Sequence, residues 1–78
     1  MIARLMYVSE KENNYSTVAR QKIGLVFELT RIIPNETAIF RQINSQCTIQ
    51  TSAIQSIEIT EENIAVFSKN TKYFFKML

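Results

Sequence analysis

Hydrophobic positions along the chain change spacing from segment to segment, and most of the spacings are those of strands. Residues 2–8 form a short apolar run holding one charge, Arg4. That run is too short for a stable helix and predicts a first strand. Residues 9–14 are polar and charged and predict a surface loop. Residues 15–33 admit two readings. As one helix, capped by Asn14 or Ser16 and stopped by Pro34, the segment would align Val18, Leu25, Leu29 and Ile32 on one face. As a strand from Ile23 to about Ile32, it would set Ile23, Leu25, Phe27 and Leu29 opposite Gly24, Val26, Glu28 and Thr30. The β-branched and aromatic residues after Gly24 favour a short helix or irregular loop over residues 16–22, followed by the strand. The long helix over 16–33 is the alternative, and would make the class α+β.

Beyond this point the β signal strengthens. Ile33, Pro34, Asn35 and Glu36 predict a turn. Residues 37–43 predict a strand with Ala38, Phe40 and Gln42 on one face. Residues 44–46 predict a turn and 47–51 a short strand. Over 53–60 the alternation puts Ile57 and Ile59 on one face and Ile54, Ser56 and Glu58 on the other. Glu61, Glu62 and Asn63 form a polar turn. Residues 64–69 and 72–77 then pair as a hairpin around Asn70 and Thr71. Five to seven short strands at regular spacing predict a mostly β fold, either a small barrel or a compact sandwich.

The stretch TSAIQSIEITEENIAVFSKNTKYFF, residues 51–75, combines a threonine-serine corner, an alternating strand, an acidic turn and an aromatic closing strand. It resembles the C-terminal part of small SH3-like barrels found as uncharacterised bacterial and phage proteins. The resemblance implies an SH3-like barrel and carries no function with it. The abundance of Ile, Asn and Lys suits an AT-rich bacterial or phage genome.

Composition narrows the chemistry. At 78 residues the chain predicts a single small domain, and 46% apolar residues suffice for a core. The net charge of +2 is far from that of a strongly basic nucleic-acid coat protein. The sequence contains neither His nor Asp, and has one Cys. The usual acid–base catalyst, an internal disulfide and a structural zinc site are therefore all excluded. Gly24 stands alone, so no phosphate-cradling glycine loop exists. The expectation is a non-enzymatic protein needing no cofactor and no metal. No apolar run approaches membrane-spanning length and no signal-like segment is evident, so a cytoplasmic location away from the membrane is expected. Cys47 has no His to activate it, and Arg41 is the nearest basic residue in sequence, so it reads as an inert, buried small hydrophobe. Glu58, Glu61 and Glu62 read as a solvated turn, not a catalytic pair.

Two features carry the functional expectation. If Asn70 and Thr71 form the hairpin loop, Phe67 faces Phe74 and Lys69 faces Lys72. One face then holds Ile64, Val66, Tyr73, Phe75 and Met77, and is the core face. The other holds Ala65, Phe67, Phe74, Lys69, Lys72 and Lys76. Two rings among three lysines suit a protein interface or a nucleic-acid stacking platform. A helix or the N-terminal strand could instead cover the rings while the lysines snorkel outward. The second feature is the absence of charge from Gln42 to Ile57. An uncharged strand such as CTIQTS either lies inside the sheet or offers Thr48 and Gln50 as a pairing edge. Arg31 and Arg41 could meet across the 33–36 turn. Together these features predict a small binding or assembly module, self-associating or docking a protein partner. The alternative is a nucleic-acid-binding barrel using the aromatic-lysine face.

Overall fold

The computed structural model describes residues 1–10 and 17–78. The expected loop residues 11–14 and both candidate helix caps, Asn14 and Ser16, lie outside the described residues. The described residues form seven strands: β1 (Ile2–Glu10), β2 (Val26–Leu29), β3 (Ile39–Gln42), β4 (Thr48–Gln50), β5 (Ile54–Ile59), β6 (Asn63–Ser68) and β7 (Thr71–Met77). A five-residue helix, α1 (Thr17–Gln21), precedes β2. The long helix over 16–33 does not form, because the chain turns at Gly24, whose φ is +93°. Gly24 N–H donates to Leu5 O at 2.7 Å, and Leu5 N–H to Leu25 O at 3.0 Å, docking the turn on β1. That turn also delays β2, so Ile23 and Leu25 stay exposed while Phe27 and Leu29 are buried.

All seven strands belong to one antiparallel sheet in the order β4-β3-β2-β1-β7-β6-β5. Two three-stranded meanders thus flank β1, and the sandwich alternative, which needs two sheets, does not form. The sheet curls strongly without closing. Phe40 on β3 and Tyr73 on β7 lie three strand steps apart, about 14 Å in a flat sheet. Their ring centroids are nevertheless 5.2 Å apart, and Phe40 lies 5.0 Å from Phe75. The concave side is therefore the core, built from Leu5, Phe27, Phe40, Ile54, Val66 and Phe75 and their neighbours.

Two bulges explain side-chain placements that strict alternation misses. On β1 the pairing with β7 steps from Leu5↔Phe75 to Tyr7↔Phe74, leaving Met6 unpaired. Met6 and Tyr7 both face out, and Val8 returns to the core. On β5 the step between Ile54 and Ser56 leaves Gln55 unpaired. Ile54 and Ile57 therefore both serve the core, against the expectation that they face opposite sides.

Where the two sheet edges meet, hydroxyls replace ladder bonds. Thr51 Oγ1 accepts from Ala38 N–H at 2.8 Å and donates to Ser52 O at 2.7 Å. Ser52 Oγ accepts from Asn70 N–H at 3.1 Å, pinning this corner to the β6–β7 turn. Asn35 N–H donates to Ile54 O at 2.8 Å, and Ile54 N–H to Glu36 O at 2.9 Å. The turn at 33–36, with Asn35 at φ 71°, is thus tied to the start of β5.

Candidate functional site

The β6–β7 hairpin turns at Lys69–Asn70, one residue earlier than expected. The register is Phe67↔Lys72, Val66↔Tyr73, Ala65↔Phe74 and Ile64↔Phe75. The hydroxyl of Ser68 fixes this turn, accepting from Thr71 N–H at 3.1 Å and donating to Thr71 O at 2.8 Å. The shift is two residues along the partner strand, an even number, so the paired residues keep their faces and only Lys69 leaves the outer one. Ile64, Val66, Tyr73 and Phe75 are buried, and Met77 packs against them. Phe67 and Phe74 stand half-buried on the convex outer face. The expected Lys69–Lys72 opposition does not occur, because Lys69 lies in the turn.

The outer face gains members that the hairpin alone could not reveal. Because β1 inserts beside β7, Tyr7 lies opposite Phe74, with ring centroids 5.7 Å apart and planes at 61°. Phe74 in turn meets Phe67 edge-on at 6.1 Å. Lys72 Nζ sits 5.6 Å from the Phe67 ring centroid, a cation–π distance. Tyr7 is 50% exposed, and Met6 beside it is 51% exposed. Arg4 lies directly opposite Lys76, a like-charge pair on the exposed face. That opposition is unfavourable without a counter-charge. Arg4 was visible as the one charge in an apolar run, but only the β1–β7 pairing shows which lysine it meets. Helix α1 packs on the core side through Ala19, and β1 lies beside β7 in the sheet. Neither of the two elements considered as covers lies over the rings. A shallow groove beside Phe67 is lined by Ser9, Gln55, Ser56 and Lys72.

The uncharged strand is an edge, not a central strand. β4 ends the sheet, with Thr48 and Gln50 exposed and Ile49 buried. Arg41 lies opposite Glu28 on β2 and Thr48 on β4, so it does not meet Arg31 across the 33–36 turn.

Cys47 is exposed, against the expectation of burial. Its thiol is lowered below the usual cysteine range, first by a hydrogen bond from Ser45 and then by the positive charge of Lys22. Lys22 follows α1 and donates to Gln42 Oε1 at 3.3 Å, which brings this cation to the turn before β4. Arg41 was the nearest cation in sequence, but Lys22 is the one the fold supplies. Glu58 is exposed on β5, and Glu61 and Glu62 are exposed in the turn that follows it. Among the described residues no group of three or more potential metal ligands assembles, and no helix is long and apolar enough to cross a membrane. Comparison of the chain with known protein families, with curated proteins and with solved structures finds no match.

Proposed function

We propose that this chain is a non-enzymatic binding and assembly module that docks an acidic protein surface on its outer aromatic face. The observation that carries the reading is the ladder Tyr7–Phe74–Phe67, which no described residue covers, bordered by Lys72, Lys76 and Arg4. Edge-to-face rings supply apolar area at low entropic cost, and aromatic anchors dominate binding energy at interfaces. The Arg4–Lys76 opposition supplies the charge preference, since an incoming carboxylate relieves it. The same cations make two copies of this face repel each other, so the face suits a different partner. The curled single sheet and the Thr51–Ser52 corner support kinship with SH3-like barrels, and the lone thiol supports a reducing compartment.

A second reading is nucleic-acid binding by the same face, favoured by the groove in which Lys72 stands beside the Phe67 ring. One NMR titration separates the two readings. The isotope-labelled chain is titrated with an acidic peptide containing one phenylalanine, and separately with a thymidine oligonucleotide, at low and high salt. Docking predicts that the peptide shifts Tyr7, Ala65, Phe67 and Phe74 and that much of the effect survives salt. Nucleic-acid binding predicts oligonucleotide shifts that collapse steeply with salt. Silence of these residues toward both probes rejects the proposal.

A further inference from the structure

Among the described residues no strand pairs with the outer edge of β4, and the geometry of that edge specifies its occupant. Antiparallel ladders bond alternate residues, and the β3–β4 ladder uses the odd ones. Gln42 N–H donates to Cys47 O at 3.0 Å and Thr51 N–H to Ala38 O at 2.9 Å, with Phe40 opposite Ile49 between them. Thr48 and Gln50 therefore turn their backbone N–H and C=O groups away from β3, toward solvent. Their side chains are exposed on the outer face. Strand edges normally carry charge, bulges or proline against such pairing, and β4 carries none of these.

The other edge behaves differently. Thr60 N–H donates to Asn63 O at 2.9 Å, so the same alternation turns Ile57 and Ile59 outward on β5. A twofold pairing of β5 with its own copy would centre on Glu58 and place two carboxylates directly opposite. The bulge at Gln55 further bends that edge.

We infer that β4 pairs antiparallel with β4 of a second copy about a twofold axis at Ile49. Thr48 of each copy then lies opposite Gln50 of the other, and the two strands exchange four backbone hydrogen bonds. No charges are opposed across this joint, and outer face continues into outer face, so the two sheets merge into one. The joint leaves the aromatic face open on both copies. It extends the assembly reading but uses different residues, so either can fail alone.

The test is the solution mass by light scattering across a concentration series, combined with amide hydrogen exchange. The wild-type chain is expected to pass from 9.1 kDa to twice that mass as concentration rises, with little dependence on salt. The amides of Thr48 and Gln50 should slow in step with dimer formation, while that of Ile49 is protected throughout. Gln50→Pro removes an outward N–H and no β3 bond, so it should hold the chain at monomer mass with an unchanged circular dichroism spectrum. Thr48→Lys combined with Gln50→Lys, which sets like charges opposite each other, should do the same. A monomer at all concentrations overturns the inference and leaves a foreign strand as the occupant of the edge. A dimer that survives Gln50→Pro but is lost in Phe74→Ala overturns it in favour of the aromatic face. Association broken equally by Gln50→Pro and Ile57→Pro overturns the twofold joint in favour of head-to-tail pairing of β4 with β5.

Discussion

Phe40 and Phe74 are the same residue type in two different roles. Phe40 is fully buried between Tyr73 and Phe75, whereas Phe74 is half-buried on the outer face. Phe40→Ala should cost about 3–5 kcal/mol, a large part of the stability of so small a domain. Phe74→Ala should cost less than about 2 kcal/mol, since much of the ring is already wet. Urea denaturation of the two variants checks the contrast, and an unfolded Phe74→Ala would place that ring in the core. Thr51 is a second residue with a specific burden, because its hydroxyl is the acceptor for the Ala38 N–H. Thr51→Val keeps the shape and removes the acceptor, so it should destabilise by about 1–3 kcal/mol, with Thr51→Ser close to wild type. Cys47 offers a test in pH. Its lowered thiol should alkylate at lower pH than a free cysteine. Ser45→Ala and Lys22→Gln should each move the midpoint of the rate profile upward, because each removes a group that favours the thiolate. A midpoint unmoved by either substitution contradicts the assignment.

Strands in this chain are short, and their ends are set by side chains that take over backbone bonds. Ser68 holds the β6–β7 turn by bonding the Thr71 backbone, and Thr51 closes the β3–β4 ladder, so hydroxyls, and not glycines, shape these corners. Gly24 is the exception, with a positive φ and nothing within 4 Å of where a Cβ would stand. Gly24→Ala should therefore cost about 1–2 kcal/mol from backbone strain alone, with no clash to relieve. Bulges at Met6 and Gln55 do for β1 and β5 what the turns do for the hairpins, bending each strand around the core.

The molecule as a whole curls one sheet around a single aromatic core, with a radius of gyration of 11.3 Å. A compact chain of this length is expected at about 11.5 Å. Among the described residues the curl leaves a concave core, a convex outer face and two sheet edges that meet only at the 51–54 corner, and the outer face and the rest of the edges are the surfaces available for contact. On the convex face, the Arg4–Lys76 opposition trades stability for partner charge. Lys76→Glu should stabilise the isolated chain by up to about 1 kcal/mol, less at high salt, by turning a repulsion into an attraction. The same substitution should weaken acidic-peptide binding, so thermal melts and titrations of one variant should move in opposite directions.

The sequence by itself determined the strand-rich class, the turn at 33–36, the turn at 61–63 except for Asn63, which opens β6, and the two faces of the last hairpin except for Lys69. Each follows from local alternation and turn chemistry within a few residues. Parity explains why those faces survived a wrong register: a shift of two residues leaves every side chain on its own side. Ile54 was misplaced because a bulge is one residue that breaks parity, and no propensity marks Gln55 as that residue. Only the tertiary structure decided that β1 lies between β2 and β7, which is what brings Tyr7 and Arg4 to Phe74 and Lys76. It also decided that the uncharged strand is an edge and that Lys22 reaches Cys47. These are meetings between residues far apart in the chain, fixed by which strands share a ladder as the whole sheet curls to bury its aromatic side.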